Sequence, residues 1–332
     1  MLRENQRQRD ERRPPMTYLP ADHLMWDFWF APPQPGEPVH VFYLRVPATI
    51  ADPEARHWQA EVGHATSINL RSWHDRGIAL SPAPGPGWDD KAIWTGSMLR
   101  HEGQWYWFYT ALTHADRQQR IGLATSNDLE TWTRHPANPL LVADLSWIES
   151  NESGVAFRDP WVIPNPDGDG WLMYITTRVN HGPEDGRGVI ALARSPNLID
   201  WTLDGPVTDP GAFGELEVPQ YLEVQNRRYL LFCTGKHAAS RLARPGAERW
   251  IGTHYLTGDA AEGPWTLADD PPMAGDAAGS WYAGRVLVRD DQSLFFAWRR
   301  DRDGRFEGGL SNPAPVEVAA DGRLHVDLAA LD

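Results

Sequence analysis

The chain has 332 residues, 41% hydrophobic and 23% charged, a composition that supports a folded soluble core and excludes a disordered chain. Its 31 Lys and Arg face 45 Asp and Glu; the resulting net charge of −14 repels phosphate backbones and anionic lipid, so neither nucleic acid nor a membrane is an expected partner. Cys233 is the only cysteine, which excludes an intrachain disulfide, and its setting in LLFC reads as buried strand.

Residues 1–15, MLRENQRQRDERRPP, alternate charges and lack the apolar run of a secretory signal. They read as a flexible charged tail, with a cytoplasmic location as the default, and residues 16–332 read as one domain. No later stretch approaches the ~18 apolar residues of a membrane helix. Helical periodicity is scarce. Short β-rich runs follow one another instead, at 39–43 (VHVFY), 105–109 (WYWFY), 171–175 (WLMYI) and 229–232 (YLLF), with turns such as NPDGDG and QNRR before them. The pattern predicts an all-β protein built of hairpins.

Self-similarity organises these runs. HATSINLRSWHDRG (64–77), LATSNDLETWTRH (123–135), LARSPNLIDWTLDG (192–205) and the looser YLTGDAAEGPWTL (255–267) repeat one pattern of small-residue strand, polar turn and tryptophan. Trp73, Trp132, Trp201 and Trp265 are spaced by 59, 69 and 64 residues, a unit that fits the chain five times. Such units stack around an axis, so the expected fold is a five-bladed β-propeller with a central funnel. The four tryptophans are expected to pack between blades.

A second series opens each unit: Trp26-Asp27, Trp94-Thr95, Arg158-Asp159, Glu217-Val218 and Trp281-Tyr282. Asp27, Thr95, Asp159, Glu217 and Tyr282 follow at steps of 68, 64, 58 and 65. Equivalent positions on innermost strands would face one channel and bring Asp27, Asp159 and Glu217 together. Glu215 and Glu223 compete with Glu217, since strict alternation puts all three on one face. Alternation also points Arg158 and Asp159 to opposite faces unless the backbone bends, and Pro160 leaves that question open. Arg158 reads equally well as a structural partner of a carboxylate. Converging carboxylates of unlike pKa suit glycoside cleavage, which needs one proton donor and one ionised group at an oxocarbenium-like centre.

FRDP at 157–160, E-x-P at Glu217–Pro219, WTGS at 94–97 and an aspartate in the first unit, in this order and spacing, resemble glycoside hydrolase families 32 and 68, the invertases, levanases, inulinases and levansucrases. The resemblance spans about residues 18–325. It implies a five-bladed catalytic propeller and a retaining attack on β-D-fructofuranosides such as sucrose or fructo-oligosaccharides. Asp27 would then be the nucleophile, Glu217 the acid/base and Asp159 the stabiliser of the transition state. Trp26, Trp94, Thr95, Arg158 and Tyr282 would bind the small carbohydrate. The E-x-P match selects Glu217 over its neighbours. Three features depart from family 32: WDFW replaces an Asn-Asp-Pro-Asn-Gly-like element and looks like levansucrase W-D-x-W, Val218 stands where Cys is common, and no C-terminal β-sandwich is expected. LSNPAPVEVAADGRLHV (310–326) resembles the strand pair that ends the family 32 propeller.

Two other readings stand beside this one. The altered WDFW element fits a related furanosidase for arabinose- or xylose-containing glycosides, and a non-catalytic sugar-binding propeller would keep the same pocket. Transfer to a second sugar is as compatible as hydrolysis. Asp89-Asp90 reads as a solvated loop, Asp167 and Asp169 in PDGDG as a hairpin turn rather than a calcium loop, and His64 as packing or a turn contact. No metal or cofactor is expected, because the 12 histidines lack ligand spacing and no phosphate- or dinucleotide-binding glycine motif occurs. Oligomeric state is left open.

Overall fold

The computed structural model describes residues 17–332 apart from 236–238, 243, 269–270 and 303–304, so the tail expected at residues 1–15 lies outside the described residues. Five antiparallel meander sheets follow one another along the chain. The first contains His23–Phe30, Val39–Pro47, Glu61–Ser67 and His74–Leu80, paired in that order. The innermost strands of the next four are Ala92–His101, Phe157–Pro164, Glu217–Val224 and Trp281–Arg289, and neighbouring inner strands pack together around an axis. This is the expected five-bladed β-propeller. The ring closes where Tyr18 pairs with Leu310 of the fifth blade; the Tyr18 N–H donates to Leu310 O at 3.4 Å, and the Leu310 N–H donates back at 2.7 Å.

The strands form where β-branched and aromatic side chains alternate into the spaces between blades. The repeat tryptophans fill those spaces. Trp132 of the second blade meets Phe42 of the first edge-to-face at 5.9 Å and its own blade's Trp107 at 5.0 Å. Trp201 of the third blade meets Phe108 of the second at 5.5 Å, and Trp265 of the fourth lies 6.5 Å from Tyr174 of the third. Trp73 lies 6.4 Å from Tyr18, which is bound to the fifth blade. His64 also packs, stacked on Phe42 at 4.4 Å and hydrogen-bonded to His40 at 2.9 Å. The expected terminal strand pair is Glu317–Val318 with Leu324–His325; it docks on the fourth blade, where the Tyr229 hydroxyl donates to Gly322 O at 2.8 Å.

Two loop expectations need correction. Asp89 is not solvated: it is buried, accepting from Arg134 Nε at 2.6 Å and from the Tyr109 hydroxyl at 3.1 Å, and only Asp90 caps the turn. Asp167 does more than close its hairpin, since it accepts from Ala261 N at 2.8 Å and from Arg228 Nη1 at 2.8 Å and so ties the third blade to the fourth.

One backbone feature positions the site. Every inner strand carries one extra residue against its partner, with shifts between Met25 and Phe28, Trp94 and Gly96, Arg158 and Trp161, Glu217 and Gln220, and Tyr282 and Arg285. These five β-bulges lie at one level of the propeller. Asp159, Val218 and Ala283 take left-handed conformations there, with φ of 58°, 47° and 47°. A bulge frees ladder groups, and neighbouring blades satisfy them: Asp159 N–H donates to Thr110 Oγ1 at 2.9 Å, and Val218 N–H to Asp159 Oδ2 at 3.0 Å.

Candidate active site

The bulges answer the question posed by Arg158 and Asp159. In a regular strand the two side chains would point apart, but the left-handed turn at Asp159 brings both to one central cavity of about 420 Å³. Asp27, Thr95, Glu215, Glu217, Trp94 and Tyr282 line it with them. The bulges also revise the spacing argument. Ladder register puts Glu217 and Tyr282 level with Arg158 and Trp94, each the last paired residue before its bulge, so Glu217 is not the equivalent of Asp159. The extra residue likewise breaks the alternation beyond Glu217. Glu215 stays in the cavity, whereas Glu223 lies at the far end of the strand beside Arg228, 3.9 Å away.

Asp27 is held from two sides. The Trp298 indole donates to Oδ1 at 2.8 Å and the Thr95 hydroxyl to Oδ2 at 3.3 Å. Burial and the charge of Asp159 push its pKa up; the Trp298 N–H and the cations of Arg56 and Arg285 oppose that rise and favour the carboxylate. Thr95 reaches Asp27 because Gly96 follows it: a Cβ at Gly96 would sit 2.1 Å from Phe108 O, so only glycine fits this bulge. Asp159 is 3% exposed. Burial raises its pKa as well, opposed by Arg158 Nε at 3.6 Å and by the Val218 N–H.

Glu217 has a different setting. Arg158 Nη2 donates to its Oε1 at 2.7 Å and the Tyr282 hydroxyl donates to Oε2. The same Arg158 nitrogen lies 3.2 Å from Glu215 Oε1. Burial and the adjacent Glu215 charge push the Glu217 carboxyl up to about 7, outweighing Arg158 and Tyr282. Burial also works against the ionised form of Glu215, yet the Arg158 charge keeps that carboxyl below its ordinary range. One arginine thus serves two carboxylates, with the proton on Glu217. Arg158 is both the structural partner and the cavity residue that the sequence left as alternatives.

Trp26 departs from expectation. It is 1% exposed and does not line the cavity. The Arg56 guanidinium lies 5.6 Å from its ring centroid and the His57 ring 5.8 Å, so it supports the 3-10 helix Pro53–Trp58. That helix brings Glu54, His57 and Trp58 to the mouth, and the Trp94 indole fixes it by donating to His57 O at 2.6 Å. Burial and the nearby Arg56 push His57 down to about 4, so it is neutral at pH 7.

A family model described as the glycosyl hydrolases family 32 N-terminal domain matches residues 36–307. The chain belongs to glycoside hydrolase family 32. Among its relatives are a fructan 6-exohydrolase of Beta vulgaris, 28% identical over 193 residues (56% of this chain, 30% of that protein), and an invertase of Kluyveromyces lactis, 26% identical over 238 residues (64% and 34%). The chain spans about a third of the length of these curated relatives. An inulosucrase from Halalkalicoccus jeotgali bound to kestose shares the fold, with a TM-score of 0.74, 21% identity and coverage of 94% of this chain and 90% of that one. The family match begins after Asp27, so the place of Asp27 in this family 32 site comes from the geometry alone.

Several cavity residues escaped the sequence reading. Gln119 lines the wall, its Oε1 held by the Phe157 N–H at 2.8 Å; Trp298, outside the lining, holds Asp27 from a second strand that the spacing series does not include. Only the mouth helix had a signal: Asp52-Pro53 is an N-cap followed by proline, and the Glu54 N–H donates to Asp52 Oδ1 at 2.9 Å.

Proposed function

We propose that this family 32 chain cleaves terminal β-D-fructofuranosyl units from sucrose or short fructans with retention of configuration. The observation that carries the reading is the meeting of Asp27, Asp159 and Glu217 in one cavity, with the Glu217 carboxyl pushed up to about 7 by burial and the Glu215 charge. The matched fructan exohydrolase and invertase, both named for fructosides, support the substrate class. A cavity of about 420 Å³ is within the ~300–1,000 Å³ of small-molecule sites.

In the first step Glu217 gives its proton to the glycosidic oxygen while an Asp27 carboxylate oxygen attacks the anomeric carbon; the C–O bond to the leaving sugar breaks and a fructosyl ester forms. Asp159 accepts hydrogen bonds from ring hydroxyls and favours the cationic transition state. In the second step the ionised Glu217 takes a proton from water, whose oxygen displaces Asp27 and frees fructose. A sugar hydroxyl in place of that water gives transfer. The test is release of fructose from sucrose, inulin and levan, with aryl arabinofuranosides and xylosides in parallel. Cleavage of the pentosides alone would overturn the substrate class. Sugar binding with no turnover on any of these would overturn the enzyme reading.

A further inference from the structure

Arg285 lies beneath the site, is 1% exposed and has no role in the steps above. Its Nη1 donates to Val218 O at 2.9 Å and to Pro219 O at 2.7 Å, the two carbonyls of the bulge directly after Glu217. On the same strand Val286 N–H donates to Gln220 Oε1 at 2.9 Å, and Gln220 Nε2 donates to Val286 O at 2.7 Å. The fifth blade therefore grips the fourth-blade bulge on both sides. That grip has a job: Val218 is β-branched and holds a φ of 47°, a conformation that persists only where its surroundings impose it.

We propose that Arg285 is a positioning residue that aims Glu217 by clamping the Val218–Pro219 bulge and supplies the buried positive charge beneath Asp27 and Asp159. The inference rests on the catalytic reading of those carboxylates. The clamp is geometric, one guanidinium nitrogen shared by two carbonyls that the bulge took out of the ladder. Geometry also places the charge: Val218, whose carbonyl accepts from Arg285, gives its N–H to Asp159 Oδ2 at 3.0 Å. The guanidinium sits 5.0 Å from the Trp161 ring centroid, and its Nε and Nη2 meet no protein acceptor among the described residues. A buried cation with no carboxylate in contact persists only if counter-charges lie near, and Asp159 and Asp27 are the carboxyl groups that act on it. Burial lowers Arg285 to about 10, which leaves it protonated at pH 7. Without it, two aspartates and two glutamates would share the cavity with Arg158 as the main cation.

Arg285→Lys and Arg285→Gln separate clamp from charge. Lysine keeps the charge but holds the carbonyls as a point donor. Its kcat on sucrose should fall about tenfold or more, with KM within about threefold and the acidic limb of kcat/KM unmoved. Glutamine also removes the charge, and that limb should move up by about one pH unit. Carboxyl titration by difference infrared spectroscopy, without substrate, should show the same upward shift for the aspartates. Arg285→Lys with wild-type kcat overturns the clamp, and it decides that half of the proposal even if Arg285→Gln does not fold. An unmoved acidic limb and unmoved aspartate titrations in a folded Arg285→Gln overturn the charge role. A wild-type protein that cleaves no fructoside refutes the proposed function, while the infrared shift still tests the charge beneath Asp27 and Asp159.

Discussion

Removing one hydroxyl should retune the acid. Tyr282 donates to Glu217 Oε2, an interaction that favours the ionised carboxylate and opposes the rise caused by burial and Glu215. Tyr282→Phe deletes that donor while keeping the ring against Trp298, whose centroid lies 5.7 Å away. A hydrogen bond to a charged group contributes about 1.5–3 kcal/mol, and one pKa unit is about 1.4 kcal/mol, so loss of the whole bond would raise Glu217 by one to two units. The Glu217 side chain keeps 22% exposure, and water recovers part of the loss, which leaves a shift of about one unit. The sign follows from the proposed role of Glu217 as the protonated acid. Its basic limb in kcat/KM, near 7 in the wild type, should move toward about 8. Steady-state rates on sucrose between pH 5 and pH 9 measure this. A limb that stays in place, or moves down, refutes the claim that Tyr282 stabilises ionised Glu217.

Three further outcomes follow from the same geometry. Glu215→Gln removes the like charge that raises Glu217, so the basic limb should move down in pH–rate profiles, opposite to Tyr282→Phe. The raised Glu217 also sets a stability trend. The folded state binds more protons than the unfolded one between about 4.5 and 7, so its contribution falls as pH rises through that window; Glu217→Gln should be on the order of 2 kcal/mol more stable than wild type at pH 8, with the gain lost by pH 4, as urea midpoints would show. Gly96→Ala forces a Cβ against Phe108 O and must displace the second-blade bulge; the expected result is a loss of about 1–3 kcal/mol in stability and of activity beyond that of Thr95→Val, read by urea midpoint and kcat.

The architecture was legible because blade packing repeats the same chemistry at the same spacing. Trp73, Trp132, Trp201 and Trp265 each fill one interface, so their steps record the blade count. The site was legible as to which strands meet, since Asp27, Asp159 and Glu217 all lie on inner strands, one per blade. What spacing could not show was the bulge, because the inner strands are buried on both faces and carry little alternation for an extra residue to interrupt. That single feature moved Glu217 level with Arg158, sent Glu223 away from the cavity and let Arg158 and Asp159 share it. Arg285 and Trp298 stayed hidden for another reason: their roles depend on contacts across blades, Arg285 to Val218 and Pro219 and Trp298 to Asp27. Tyr282 owes its place to a residue no motif contains, since a Cβ on Gly235 would lie 2.7 Å from its hydroxyl.

The most direct test of the two-step account uses Glu217→Ala with fructosyl fluoride, whose leaving group needs no proton. Asp27 should still attack, while release stalls for want of a base, and mass spectrometry should find one fructosyl unit on the peptide that contains Asp27. Added azide should then free β-fructosyl azide. A label on another residue, or hydrolysis with inversion and no label, would contradict the assignment of Asp27 as nucleophile.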